Sequence, residues 1–89
     1  MNVAFSKHFL KQLDKVNDPV LLKRIKTAIL KAESAQSIQE LSNIKKMSGY
    51  DDHFRIRIGD YRIGLKMESD NTLWFAAIAH RKDIYSLFP

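Results

Sequence analysis

Apolar residues recur at helical spacing in the first part of the chain and alternate with polar ones in the second. Phe9, Leu10, Leu13 and Val16 share one face, and Ser6 stands where an N-cap belongs, which predicts a helix from there to about Val16. Asn17-Asp18-Pro19 ends it and begins another, because Asp18 can cap and proline suits the first helical position. The second helix is expected to reach about Ser34, with Leu21, Leu22, Ile25, Ala28, Ile29 and Ala32 as its apolar stripe. So short a break predicts an antiparallel helical hairpin. Ser37-Ile-Gln-Glu40 has the form of a capping box and predicts a short helical turn.

The period then becomes two. His53–Ile58 and Tyr61–Met67 alternate strictly, and Gly59-Asp60 between them is a favourable two-residue hairpin loop. Asp70-Asn71 turns the chain into an apolar strand from Leu73 to Ala79, and Asn2–Phe5 and Ile44–Ser48 are candidate edge strands. His80 to Pro89 forms a short helical turn or tail. The layout is an α+β fold, a single domain over residues 1–89, with an N-terminal helical hairpin packed on one face of an antiparallel sheet. Phe54, Ile56, Ile58, Tyr61, Ile63, Leu65 and Met67 are expected on the covered face.

The same register populates the other face. A two-residue loop places Ile58 opposite Tyr61, Arg57 opposite Arg62 and Arg55 opposite Gly64. Like charges directly opposite one another destabilise a sheet, so folding alone does not account for the Arg57–Arg62 pair. Carried through the second turn, the register pairs Met67 with Trp74, Lys66 with Phe75 and Arg62 with Ala79. Arg81 then falls on the arginine side, and Ala77 and Ala79 leave room above the sheet. One reading is a solvated face whose arginines maintain solubility. The other is an anion site, since arginine offers a planar, permanently charged fork suited to phosphate. Lys45 and Lys46, on the preceding edge segment, are further candidate substrate-binding cations.

Composition supports a polyanion partner without identifying one. The 89 residues carry 15 Lys and Arg against 10 Asp and Glu, a net charge of +5. Lysines crowd the outer helix faces, either as an ordinary solvated surface or as a landing surface for a large RNA. There is no cysteine, hence no disulfide or thiolate metal site. No signal peptide is visible and no stretch approaches the roughly 20 apolar residues of a membrane span, so a cytoplasmic location is expected.

Several chemistries lack their residues. His8, His53 and His80 are scattered, with no HExxH or CxxC, and no metal or other cofactor is expected. No GxxxxGK[ST] loop or serine–histidine triad context is present. RNA cleavage needs neither, because the substrate supplies its own nucleophile, the 2′-OH. The protein has only to position the phosphate, stabilise added negative charge and move two protons. Arginines can do the first two. Tyr85 and His80, flanking Arg81, are the candidates for proton transfer, each with packing as the competing role. Tyrosine has a pKa near 10 in water, so a basic role requires neighbouring cations that favour the phenolate. His80 falls on the core-facing parity, which favours packing.

Phe54-Arg-Ile-Arg-Ile58, Gly59-Asp-Tyr-Arg62 and His80-Arg-Lys-Asp-Ile-Tyr85, behind a helical hairpin, resemble RelE-type toxins of the RelE/ParE superfamily over essentially the whole chain. The resemblance implies a fold related to microbial ribonucleases and metal-free cleavage of mRNA in the ribosomal A site, through a 2′,3′-cyclic phosphate. It also implies a cognate antitoxin partner in an oligomeric complex. The family's basic positions fall on Arg55, Arg57, Arg62 and Arg81, and its C-terminal tyrosine on Tyr85. Some RelE toxins have lysine where this chain has Arg55 and Arg57. Arginine does not give up its proton, so these two positions are expected to clamp phosphate rather than act as bases. ParE-like relatives share the fold, poison DNA gyrase and cut no RNA. A gyrase inhibitor and a catalytically inactive RNA-binding relative are therefore the alternatives.

Overall fold

Ser6 opens the first helix by two bonds at once. Its hydroxyl accepts from Phe9 N at 3.0 Å and donates to Ala76 O at 2.6 Å, tying the helix start to the sheet. In this computed structural model, which describes residues 1–89, the helix α1 spans Lys7–Asp14. Lys15 and Val16 close it with tighter bonds back to Gln12 and Leu13, so it ends two residues before the expected Val16. Asp18 caps α2, Pro19–Ser34, through bonds from Val20 N and Leu21 N, as the sequence predicts. The capping box at Ser37–Glu40 is present and opens a single 3₁₀ turn, Ile38–Glu40.

Five strands form one sheet: β1 (Asn2–Phe5), β2 (Ile44–Lys46), β3 (His53–Ile58), β4 (Tyr61–Met67) and β5 (Thr72–His80), in the order β1-β5-β4-β3-β2. Strands β2 to β5 are antiparallel, but β1 runs parallel to β5, with Ala4 beside Trp74. The sheet is therefore mixed, where the alternation predicted an antiparallel one. No turn joins β1 to β5; the helices and three strands intervene, so hairpin geometry does not fix their relative direction.

Helices α1 and α2 cover one face. On that face α1 lies against β5, and α2 against β1 and β3. Phe9, Leu21, Ile25 and Ala32 from the helices meet Ile56, Ile58, Ile63, Leu65, Leu73, Phe75 and Ile78 from the sheet. Each fully buried aliphatic or aromatic side chain in such a core contributes about 1.5–3 kcal/mol. Phe54, Tyr61 and Met67 pack on its margin, so the covered face is the expected one.

The β3–β4 register is as predicted, and the β4–β5 register is so in one half only. Ile63 lies opposite Ile78 and Arg62 opposite Ala79, but Leu65 faces Phe75 and Met67 faces Leu73, with an irregularity between Gly64 and Leu65. Ala76 is the extra residue. This bulge reverses the parity of the first half of β5. Phe75, which an uninterrupted register would place opposite Lys66 on the outer face, is instead wholly buried, 5.5 Å from the Phe9 ring. The freed Ala76 carbonyl is the one that Ser6 satisfies.

The outer face has a small core of its own. The helix α3, Ile84–Leu87, lays Ile84 and Phe88 against Met47 and Ala77. The room expected above Ala77 and Ala79 is thus filled by the chain's own C-terminal segment. Gly64 makes this possible, because a Cβ there would stand 2.5 Å from the Phe88 ring.

Candidate functional site

Beside that small core, the outer face of β2, β3 and β4 forms a groove of about 420 Å³ lined by Asn43, Ile44, Lys45, Arg55, Arg57, Arg62 and Tyr85. Arg57 lies opposite Arg62, Arg55 opposite Gly64, and Lys45 beside Arg55 across the β2–β3 pairing. No carboxylate lines it. The ion pairs of the molecule are Lys46–Asp51, His53–Asp52 and Lys66–Glu68, and none uses an arginine. Three guanidinium groups and an ammonium therefore share one concavity without a neutralising acid. Such an arrangement favours an anion with several oxygens, phosphate foremost.

Two of the arginines are held in place. Arg62 Nη1 donates to Gly59 O at 2.8 Å and Tyr61 O at 2.9 Å, which anchors it on the hairpin turn and leaves its other N–H groups to be used. Gly59 takes a left-handed φ of 57° in that turn, a conformation glycine adopts without cost. Arg55 Nη1 donates to the Tyr85 hydroxyl, and its guanidinium carbon lies 4.9 Å from the centre of the Tyr85 ring. The ring itself remains largely exposed. Because its oxygen accepts from Arg55, the hydroxyl proton is directed elsewhere and is available to a third group.

The remaining expected site residues lie apart. Lys46 pairs with Phe54 and approaches Asp51 at 3.9 Å, outside the groove, because successive strand residues point to opposite sides. His80 pairs with Tyr61, their rings meeting edge-on at 5.7 Å, and its Nδ1 accepts from Lys82 N at 3.2 Å. It lines a separate cavity with Lys15, Val16 and Leu21 on the helical side, away from the arginines. Arg81 follows the last residue of β5, where strand alternation no longer aims side chains. Its backbone N–H donates to Asp60 O at 2.8 Å beside the hairpin turn, and it does not line the groove.

Sequence reasoning missed four contributors. Asn43 reaches the groove from the residue before β2, with a left-handed φ of 61°; an asparagine ahead of a short edge strand was its only signal. Gly64 and Phe88 seat the segment that carries Tyr85. His53 packs its ring 5.3 Å from Phe88 and donates from Nδ1 to Asp52 Oδ1 at 2.7 Å. That hydrogen bond holds the Asp52 carboxyl below its ordinary value of 3.8. No three His, Cys, Asp or Glu side chains stand together as a metal-holding group, and no helix is long and apolar enough to cross a membrane.

Fold and groove define a small basic α+β domain with a cationic groove on its outer sheet face. Residues 3–85 match the family model described as the ParE toxin of the type II toxin–antitoxin system parDE. The chain is 42% identical over its whole length to Toxin RelE3 of Methanocaldococcus jannaschii, all of which is covered. It superposes on the RelB–RelE antitoxin–toxin complex of Methanococcus jannaschii with a TM-score of 0.78 at 40% identity, covering 97% of this chain and 99% of that one. The isolated RelE toxin of E. coli shares the fold, with a TM-score of 0.70 at 18% identity over 96% of this chain and 90% of that one. The chain thus belongs to the RelE/ParE family of type II toxin–antitoxin toxins, on its RelE side.

Proposed function

We propose that this protein is a ribosome-dependent endoribonuclease that cuts mRNA in the A site without a metal ion, and that an antitoxin restrains it in the cytoplasm. The observation that carries the reading is the Tyr85 hydroxyl held by Arg55 in a groove that contains cations and no acid. In the reaction, the 2′-oxygen attacks the adjacent phosphorus and the 5′-oxygen leaves, producing a 2′,3′-cyclic phosphate. One proton leaves the 2′-OH and another reaches the 5′-oxygen. Lys45, Arg55 and Arg57 bind the phosphate, Arg62 answers the charge that grows on it, and the Tyr85 hydroxyl transfers a proton. Arg81, beside the turn that anchors Arg62, contacts the mRNA backbone. None of these groups is a strong built-in base, so the ribosome supplies the orientation of the 2′-OH.

The M. jannaschii RelB–RelE structure, 40% identical to this chain, is an antitoxin–toxin complex. An acidic or amphipathic antitoxin is the corresponding partner here, matched to a net charge of +5. Brief expression followed by mapping of mRNA 5′ ends tests the proposal, with new ends expected within translated codons. A second reading is favoured by the match to the ParE family model: inhibition of DNA gyrase. It predicts intact mRNA together with a DNA-damage response in the same cells.

A further inference from the structure

The excess of positive charge does not lie where the groove is. Residues 6–34, which form α1 and α2, hold seven cations against Asp14, Asp18 and Glu33, a net +4 of the chain's +5. The residues after them hold eight cations against seven acids. The three ion pairs all lie in that later part, and no helical cation takes part in one. A surface that only keeps a protein soluble intersperses both signs, as the sheet half does. The helices segregate one sign, at a cost. Lys7, Lys11 and Lys15 are exposed and four residues apart, so they stand in one row at steps of about 6 Å, where like charges destabilise a helix. Lys23 and Lys26 repeat the pattern on α2 at a spacing of three. These side chains are on the helical side of the sheet, and the groove is on the other.

We propose that the exposed face of α1 and α2 is a second RNA-binding surface, which docks the protein on ribosomal RNA while the groove on the opposite face engages mRNA. This rests on the ribosome-dependent reading and accounts for the dependence. Lysine is depleted at protein–protein contacts, whereas a lysine-rich face gains affinity for RNA by releasing the counterions that phosphates hold. A short free strand lying in the groove cannot also lie on the helices, because the sheet stands between them in a molecule of 32 × 27 × 23 Å. Only an RNA cleft that encloses the protein meets both faces. Free mRNA therefore forgoes the larger share of the electrostatic attraction.

Two fourfold variants test it. Lys7→Gln, Lys11→Gln, Lys23→Gln and Lys26→Gln together remove the charge with a good helix former. Lys7→Arg, Lys11→Arg, Lys23→Arg and Lys26→Arg together keep it. Affinity is measured for ribosomes without mRNA, over a range of salt concentrations, and for a short oligouridylate; cleavage is measured on programmed ribosomes at saturation. The glutamine variant should bind ribosomes roughly 10²–10³-fold more weakly, with the slope of log affinity on log salt shallower by about 2–4. Its cleavage rate at saturation and its affinity for the oligonucleotide should match the wild type, because charges further apart than roughly 10 Å are largely screened at 0.1 M salt. The arginine variant should behave as the wild type throughout. Unchanged ribosome affinity and slope in the glutamine variant overturn the inference. So does an equal loss of affinity for the oligonucleotide, or an equal loss in the arginine variant. A glutamine variant that keeps its ribosome affinity but escapes the cognate antitoxin assigns the face to that protein and likewise overturns it. A wild type that leaves ribosome-bound mRNA intact overturns the endoribonuclease reading, while the binding measurements still decide this one.

Discussion

Arg55 holds Tyr85 twice, by a hydrogen bond to the hydroxyl and by a cation–π contact, its guanidinium carbon 4.9 Å from the ring centre. The two contacts separate under substitution. Tyr85→Phe keeps the ring contact and nearly all the covered area but removes the hydroxyl. If that hydroxyl transfers a proton, the variant should fold and bind ribosomes normally while cleaving roughly 10²–10⁴-fold more slowly. His80→Ala should cleave almost normally, since His80 lies on the helical side of the sheet. Single-turnover cleavage on programmed ribosomes measures both, and the reverse pattern would transfer the role to His80.

Arg62→Ala should lower cleavage by roughly 10²–10³-fold, comparable to the loss of one donor to a developing oxyanion. Its stability should change little. The variant loses bonds to Gly59 O and Tyr61 O, but it also relieves the repulsion from Arg57 across the hairpin. Thermal midpoints beside cleavage rates decide the matter; an unfolded variant or wild-type cleavage would remove Arg62 from the site. Arg81→Ala, whose position is outside the groove, should weaken RNA binding more than it slows bound-state cleavage.

Gly64→Ala should disable the site from beneath. The new methyl group would meet the Phe88 ring at 2.5 Å, so either Phe88 leaves or the strands shift, at a cost of about 1–3 kcal/mol. With Phe88 displaced, α3 loses its seat and Tyr85 its place over Arg55. Cleavage should therefore fall although no groove residue has changed. Adding Phe88→Leu should recover part of both losses, giving a non-additive double-mutant cycle. Strict additivity would show that the two residues do not interact as described.

The Asp52–His53 bond makes an acid-side prediction. A carboxyl held below its ordinary value in the folded protein contributes stability above that value, and the contribution disappears as pH falls through the folded value. The difference in thermal midpoint between the wild type and Asp52→Asn should therefore be present at about pH 5 and close as pH falls below about 4. A difference that widened toward acid would contradict the assigned hydrogen bond.

Much of this architecture was legible because local rules fix it. Ser6, Asp18 and Pro19 mark helix starts, and a two-residue loop leaves β3 and β4 only one register, which alone brings Arg55, Arg57 and Arg62 to one face. What escaped depends on contacts distant in sequence. The bulge at Ala76 follows from the demand of Phe9 for Phe75, and Leu73–Ile78 is too uniformly apolar to reveal where alternation breaks. The seat of Phe88 on Gly64 joins residues whose pairing no spacing rule encodes. Arg81 was placed by extending strand parity one residue past the strand's last, His80.

The extra residue in β5 lets one strand serve two faces with different demands. Leu73, Phe75 and Ile78 pack beneath the helices, while Ala77 and Ala79 on the other face meet the segment that carries Tyr85. Substitutions that reshape the outer face therefore need not propagate into the packing beneath. A scaffold with two such independent faces can change its outer surface while its interior stays the same.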